Sequence, residues 1–223
     1  MQIATWNVNS LSVRLPQVLA WLAANPVDAL CLQELKLTDD KFPHDALKEA
    51  GYEAVAFGQK TYNGVAILSR HPLRDVVRNI PDFGDEQARV IAATLDTPAG
   101  PLRLLNGYFV NGQEPGSEKF AYKMRWLQAL QDMVRAEMAA HPRLVLVGDP
   151  DQLPSVGAGN VFGDLIRSER VATVALKDIF RQAERSAIVR SAHLVNEGRL
   201  PELQNTAASD FFFKLIFAPA GIA

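Results

Sequence analysis

The sequence contains one cysteine, four histidines and no block of lysine or arginine among its 223 residues. A single cysteine excludes a disulfide within the chain. Because Cys31 has apolar neighbours on both sides, we expect it to be a small core residue, and a nucleophile here is the weaker alternative. The net charge of -2 provides no general attraction for nucleic acid, but it leaves a local basic groove open.

Long apolar segments are also missing from the sequence. No apolar run approaches the roughly 20 residues of a membrane-spanning helix. The first residues do not combine a basic stretch with an apolar one, as a signal peptide would. We therefore expect a cytoplasmic protein without a membrane partner. Hydrophobic residues make up 48% of the chain and charged residues 22%, so it has the composition of a globular protein with a buried core.

The first part of the chain has a pattern of alternating strands and helices. A short β-prone run, 3–6, precedes a helix that Asn9 or Ser10 is expected to cap and that ends at Asn25. A buried strand over Ala29–Gln33 follows. Such alternation up to residue 148 predicts an α/β or α+β fold built from layers.

Two further elements are predicted in the second half of this region. Strands over 89–95 and 102–106 flank turn residues at 96–100, which is typical of a hairpin. A long helix is expected over 117–140. The residues predicted to form its apolar face are Phe120, Met124, Leu127, Val134 and Met138.

Polar side chains stand at the ends of three predicted strands: Asn7, Glu34 and Asp149. Hydrolysis of a phosphodiester uses a hard divalent cation to neutralise the phosphate, and Mg²⁺ prefers one or two carboxylates together with water and substrate oxygens. Strand ends present such oxygens rigidly at the edge of a sheet. Taken singly, each of these residues is weak evidence, because a carboxylate after a strand more often lies in a solvated loop.

Five segments, taken in order over residues 1–149, resemble the exonuclease III family of the endonuclease/exonuclease/phosphatase superfamily. The segments contain Thr5-Trp6-Asn7-Val8-Asn9, Gln33-Glu34-Leu35-Lys36, Asn63-Gly64-Val65, Asn106-Gly107-Tyr108 and Val147-Gly148-Asp149. The resemblance implies a two-sheet sandwich, Mg²⁺ or Mn²⁺ as the cofactor, and a DNA partner. It further implies cleavage at abasic sites or from 3′ ends, as in DNA repair.

Matched to the family, individual residues acquire expected roles. Asn7 and Glu34 would hold the metal, Tyr108 would lie against the scissile phosphate, and Asp149 would orient or deprotonate the attacking water. The candidates for contacts with the DNA backbone are Arg89, Asn111 and Lys119. Each of these three also suits a structural position: a strand edge, a turn and a helix surface, respectively.

The sequence departs from the family pattern after Asp149. Asp151 stands where the family has a phosphate-binding asparagine. It is a candidate catalytic residue, but its carboxylate would place a negative charge near the phosphate. The family's closing Ser-Asp-His is not found, because none of the four histidines follows an aspartate. We therefore expect an incomplete sandwich and an impaired nuclease.

A second resemblance begins at the same place. The run Gly148-Asp149-Pro150-Asp151-Gln152-Leu153-Pro154 is similar to a motif of superfamily 1 helicases of the RecD type, and it continues through Arg181. By this resemblance Gln152 and Arg181 would contact the γ-phosphate of a nucleotide. However, the sequence contains no Gly-x-x-x-x-Gly-Lys-Ser/Thr cradle, so no ATP site is expected.

The two resemblances divide the chain into a truncated nuclease region (1–149), a fragment of a helicase α/β domain (150–213) and an unassigned tail (214–223). This division predicts a chimera. Three functions remain open: a metal-dependent DNA nuclease, a nucleic-acid-binding module without catalysis, and an inactive fusion that folds poorly.

Overall fold

A computed structural model describes residues 1–111 and 116–148 of the chain. This part is a mixed α/β fold with two four-stranded sheets, which confirms the predicted fold class. The predicted incompleteness of the sandwich and the helicase fragment concern residues after 148, which lie outside the described part. In the described part, no helix is both long enough and apolar enough to span a membrane.

The first sheet has the strand order β1-β2-β4-β3. Strands β1 and β2 are parallel, whereas β4 is antiparallel to both of its neighbours. Because β1 and β2 are parallel, their carboxyl ends lie side by side at one edge of the sheet. The elements of this half are β1 (Ile3–Asn7), α1 (Leu11–Ala24), β2 (Ala29–Gln33), α2 (His44–Glu49), β3 (Glu53–Phe57) and β4 (Val65–Ser69).

The second sheet has the strand order β5-β6-β7-β8. Strands β5 to β7 form an antiparallel meander, and β8 then pairs in parallel with β7 after a long helix. The elements of this half are β5 (Leu73–Arg78), β6 (Val90–Thr97), β7 (Gly100–Gly107), α3 (Glu118–Ala140) and β8 (Leu144–Gly148).

Apolar side chains of the two sheets pack against each other in a central core. Cys31 and Ile67 from the first sheet meet Ile91 and Leu104 from the second, and all four are fully buried. Cys31 is therefore a core residue, as predicted, and burial raises the pKa of its thiol. The outer face of the first sheet is covered by α1 and α2, and that of the second by α3.

Helix α1 begins differently from the prediction. Neither Asn9 nor Ser10 caps it with a side chain. Instead, the backbone N–H groups of Ser10 and Leu11 donate to the carbonyl oxygens of Glu34 and Leu35, at 2.8 and 3.0 Å. Two of the four orphan donors at the start of the helix are thus satisfied by the chain that follows β2. The predicted end of the helix at Asn25 is confirmed.

The predicted apolar face of α3 is confirmed in part, since Leu127 and Val134 pack against the core of the second sheet, but two of its residues were wrong. Met124 and Met138 are 45% and 62% exposed, whereas Trp126 is fully buried and stacks edge-on against Phe109. Helical spacing of apolar residues occurs on two neighbouring faces of this helix, so spacing alone does not identify the buried face. The large side chain of Trp126 lies on the face that packs against the sheet. The buried residues are Lys123, Trp126, Leu130 and Met133.

The hairpin is tighter than the turn residues indicated. Thr97 pairs with Gly100, so the turn consists of Pro98 and Ala99 alone. The backbone of Gly100 has a φ of 100°, which glycine adopts without strain. Strand β5 was not predicted, because its alternation is weak and its residues are largely exposed.

The carboxylate of Asp28 ties the start of β1 to the rest of the first sheet. It accepts a hydrogen bond from the backbone N–H of Gln2 at 2.6 Å and lies 2.9 Å from Nε2 of His71. The backbone hydrogen bond from Gln2, and then the contact with His71, lower the pKa of Asp28. A carboxylate with a lowered pKa stabilises the fold above its unfolded-state pKa and loses this contribution as the pH falls through its folded-state pKa.

We therefore expect Asp28→Asn to destabilise the protein at pH 7 by about 1 kcal/mol or less, because the site is partly exposed. The difference from the wild type should shrink as the pH falls from 5 towards 3. Urea unfolding at several pH values measures this difference. A difference that grows on acidification would contradict the assignment.

Candidate active site

Three strand ends bring Asn7, Glu34 and Tyr108 into contact. Asn7 is the last residue of β1, while Glu34 and Tyr108 follow β2 and β7 directly. Oε1 of Glu34 accepts hydrogen bonds from Nδ2 of Asn7 and from the hydroxyl of Tyr108, both at 2.9 Å. The structure thus joins one residue from the second sheet to two from the first, and these three residues are called the carboxylate cluster.

The backbone around Glu34 adopts a conformation that few side chains favour. Glu34 and Lys36 have φ values of 56° and 54°, in the left-handed region, and Asn9 has 44°. Such residues cost on the order of 1–3 kcal/mol each and persist where surrounding contacts fix them. Here the N–H of Lys36 donates to Asn63 and that of Ser10 to Glu34. Backbone hydrogen bonds between neighbouring loops therefore hold the carboxylate of Glu34 in place.

The carboxylate of Glu34 is ionised at neutral pH. Burial raises its pKa, but hydrogen bonds from Asn7, Lys36 and Tyr108 together outweigh burial, and the net result is a lowered pKa. The ammonium of Lys36 lies 3.0 Å from Oε2 of Glu34 and also donates to Oδ1 of Asn9. The site therefore presents a fixed negative charge whose second oxygen already interacts with a cation.

The donor set suits a hard divalent cation. Glu34 offers a carboxylate and Asn7 an amide oxygen, and Mg²⁺ commonly binds through one or two carboxylates together with water and substrate oxygens. Within residues 1–111 and 116–148, no group of three or more histidine, cysteine, aspartate or glutamate side chains could hold a metal. The carboxylate and the amide oxygen of these two residues fit Mg²⁺.

A cation lies over the ring of Tyr108. The guanidinium carbon of Arg89 is 5.1 Å from the centre of this ring. Nε and Nη2 of Arg89 both donate to Oε1 of Gln87, at 3.0 and 2.8 Å. Because Gln87 is neutral, it orients the guanidinium without cancelling its charge. Arg89 is thus a positive group held beside the carboxylate cluster.

The other predicted site residues form two groups, those that the structure describes and those that it does not. Lys119 is exposed in the first turn of α3, and Asn111 is exposed after β7. Among the described residues, no carboxylate forms an ion pair with Lys119. The residues Asp149, Asp151, Gln152 and Arg181 lie outside the described part, and Asp149 follows directly on the last residue of β8.

Sequence reasoning gave no role to Lys36 or to Gln87. Lys36 lies within the quoted segment Gln33-Glu34-Leu35-Lys36, so its position two residues after a candidate ligand was an available signal. Gln87 gave no such signal, because its partners Arg89 and Tyr122 are recognised only in three dimensions.

Two family models match the chain. The model of the endonuclease/exonuclease/phosphatase family covers residues 4–165. A model of an AAA domain covers residues 124–213, so the two overlap between 124 and 165. The first match contains the whole carboxylate cluster, and the second is compatible with a helicase-like fragment.

Curated relatives and solved structures agree with the first match. Exodeoxyribonuclease III of Haemophilus influenzae is 33% identical over 165 residues, which are 72% of this chain and 62% of the relative. A 3′-5′ exonuclease from Neisseria meningitidis is 55% identical with a TM-score of 0.63, covering 67% of this chain and 57% of that chain. An AP endonuclease from Archaeoglobus fulgidus is 35% identical with a TM-score of 0.63, covering 70% and 59%. The chain thus spans about three fifths of the length of the curated relatives it matches.

Proposed function

Because the chain belongs to the endonuclease/exonuclease/phosphatase family, we propose that it is a Mg²⁺-dependent DNA phosphodiesterase of the exonuclease III type, with Mn²⁺ as a substitute. The observation that carries the proposal is the cluster at three strand ends, where Glu34 accepts hydrogen bonds from both Asn7 and Tyr108. The relatives act on DNA, and the substrate we assign is duplex DNA with an abasic site or a 3′ end.

We assign a separate role in catalysis to each residue of the site. Glu34 and Asn7 would hold the metal, which supplies positive charge for the phosphate and helps to form the nucleophile. Tyr108 would lie against the scissile phosphate, with Arg89 above its ring adding positive charge. Asp149, outside the described residues, would orient or deprotonate the attacking water.

We also propose that cleavage is slower than in the relatives. Asp151 replaces an asparagine in the family pattern, and a carboxylate there repels the phosphate. Moreover, the three histidines in the described part are engaged elsewhere: His71 with Asp28, His141 with Glu137, and His44 against Phe42.

Arg89, Asn111 and Lys119 are proposed to contact the DNA backbone. For Arg89→Ala we expect KM for DNA to rise about tenfold, since one phosphate contact is lost. The slope of the logarithm of the binding constant against the logarithm of the salt concentration should become less steep by about one. Steady-state kinetics and binding at several salt concentrations measure both. Arg135→Ala removes an exposed arginine of α3 and serves as the matched control. Equal KM values for the two variants would refute the contact.

A panel of labelled substrates tests the proposed activity. It contains a duplex with one abasic site, a recessed 3′ end and a 3′-phosphate, each incubated with Mg²⁺ and with a chelator. Cleavage at the abasic site assigns an endonuclease, and stepwise shortening assigns a 3′ exonuclease. Cleavage that persists in the chelator would overturn the metal-dependent mechanism.

The alternative function is a nucleic-acid-binding or inactive fusion that carries a helicase fragment (150–213) without ATPase activity, after a nuclease region (1–149) and before a tail (214–223). The AAA-domain match over residues 124–213 favours it. Salt-dependent DNA binding by the wild type and by Glu34→Gln, with no cleavage by either, would support the binding module. Cleavage by the wild type alone would remove it.

A further inference from the structure

A network of polar side chains lies directly beneath the carboxylate cluster. Nε2 of Gln33 donates to Oγ1 of Thr5 at 2.8 Å and to Oδ1 of Asn106 at 2.6 Å. Gln33 and Asn106 have no exposed surface. The three residues belong to β2, β1 and β7, so the network crosses from the first sheet to the second.

The same side chains also bind the backbone of neighbouring strands. Nδ2 of Asn106 donates to the carbonyl oxygens of Leu32 and Ala66, at 2.8 and 2.9 Å. The hydroxyl of Thr5 donates to the carbonyl oxygen of Gly148, at 3.2 Å. One network therefore ties β7 to β2 and β4, and β1 to the end of β8.

Each strand end that the network joins carries a candidate site residue. Thr5 lies two residues before Asn7, Gln33 one before Glu34, and Asn106 two before Tyr108. Gly148 immediately precedes Asp149 in the sequence. A hydrogen bond this close to the strand end transmits any shift of one sheet against the other to the residues that follow.

Stability alone does not account for polar groups at this place. The adjacent core between the sheets is apolar, and burying an amide costs free energy unless all its hydrogen bonds are made. In the described part, Oε1 of Gln33 is buried and has no hydrogen-bond partner. Apolar side chains would fill the space but would let the sheets slide, whereas directional hydrogen bonds fix their register.

We propose that Thr5, Gln33 and Asn106 form a positioning network that sets the register between the two sheets and so brings Glu34 and Tyr108 together for cleavage. The proposal rests on the proposed function, because its catalytic readout is DNA cleavage. Thr5 is the residue that tests it most cleanly, since its hydroxyl accepts from Gln33 and donates to the carbonyl oxygen of Gly148 at the end of β8.

Two substitutions at Thr5 separate the hydroxyl from the shape of the side chain. Thr5→Val keeps the shape and removes the hydroxyl, while Thr5→Ser keeps the hydroxyl. We expect Thr5→Val to lower kcat about tenfold or more with KM for DNA nearly unchanged, since a misplacement of about 1 Å is sufficient for such a loss. Thr5→Ser should retain a kcat close to that of the wild type.

A second measurement does not depend on cleavage. The chain has four tyrosines, and labelling with 3-fluorotyrosine gives each a ¹⁹F resonance, of which that of Tyr108 is assigned with Tyr108→Phe. Thr5→Val should shift or broaden the Tyr108 resonance and leave that of Tyr52 in place. Thr5→Ser should leave both unchanged. If the wild type does not cleave DNA, the proposed function fails and the ¹⁹F comparison still decides the positioning network.

Three results would overturn the proposal. The first is an equal kcat for Thr5→Val and Thr5→Ser in a chain that cleaves DNA. The second is a Tyr108 resonance that Thr5→Val does not change. The third is loss of folding in both Thr5→Val and Thr5→Ala while Thr5→Ser stays folded, as judged by near-ultraviolet circular dichroism, because the hydroxyl then serves stability alone.

Discussion

Replacing Glu34 by glutamine should abolish most of the Mg²⁺-dependent cleavage of DNA, with a loss of about 10³-fold. A metal ion stabilises transition-state charge by several kcal/mol, and about 1.4 kcal/mol corresponds to a factor of ten. Glutamine has nearly the shape of glutamate but carries no charge, so the fold should persist. The affinity for Mg²⁺, measured by calorimetry, should fall together with the rate.

Glu49→Gln is the matched control, because Glu49 ends α2 on an exposed surface and the substitution removes the same charge. This variant should cleave DNA and bind Mg²⁺ like the wild type. A Glu34→Gln variant that keeps more than about a tenth of the wild-type rate would show that the carboxylate is not the main metal ligand, since several kcal/mol of stabilisation would not depend on it.

Removing Glu137 should cause the largest loss of stability, about 3–5 kcal/mol. Arg103 is 2% exposed and forms a two-pronged pair with this carboxylate, at 2.7 and 2.8 Å. Its Nη1 also donates to the carbonyl oxygen of Asp75. The pair joins α3 to the second sheet, and Glu137→Leu would leave the guanidinium buried without a counter-charge.

Unfolding in guanidinium chloride measures this loss, and the double variant Arg103→Met/Glu137→Leu provides the control. Because replacing both partners by apolar residues is often neutral or stabilising, the double variant should recover most of the lost stability. If the free energy of unfolding of Glu137→Leu lies within about 1 kcal/mol of the wild-type value, the assigned role of the pair is contradicted, because breaking a buried pair normally costs more than that.

Local sequence patterns were sufficient for much of the architecture. The continuous apolar run 29–32 predicted a buried strand over Ala29–Gln33, and Glu34 was expected just after it. Asn25 marked the end of α1 because the following proline restricts the backbone. In each case the signal lies within a few residues of the feature it predicts.

Features that depend on distant parts of the chain were not predictable in this way. The buried pair Arg103–Glu137 joins residues 34 positions apart, and each alone is typical of a solvated surface. The buried stripe of α3 depends on where Trp126 meets Phe109. Likewise, α1 is capped by the backbone after β2, and no local pattern reports such a contact.

The candidate site lies between these two cases. Asn7, Glu34 and Tyr108 were chosen from the resemblance, and the structure brings all three together. The orientation of Arg89 by Gln87 emerges only from the fold. Asp149 and Asp151 lie outside the described residues, and their roles stay predictions.

Single-turnover incision of a labelled duplex with one abasic site, by an excess of the wild-type chain, decides whether the chain is a metal-dependent DNA nuclease. We expect a nick at the abasic site or shortening from a 3′ end with Mg²⁺ or Mn²⁺, and neither product with EDTA. A duplex that stays intact with Mg²⁺ and also with Mn²⁺, although the chain shows a cooperative unfolding transition, would contradict the proposed activity.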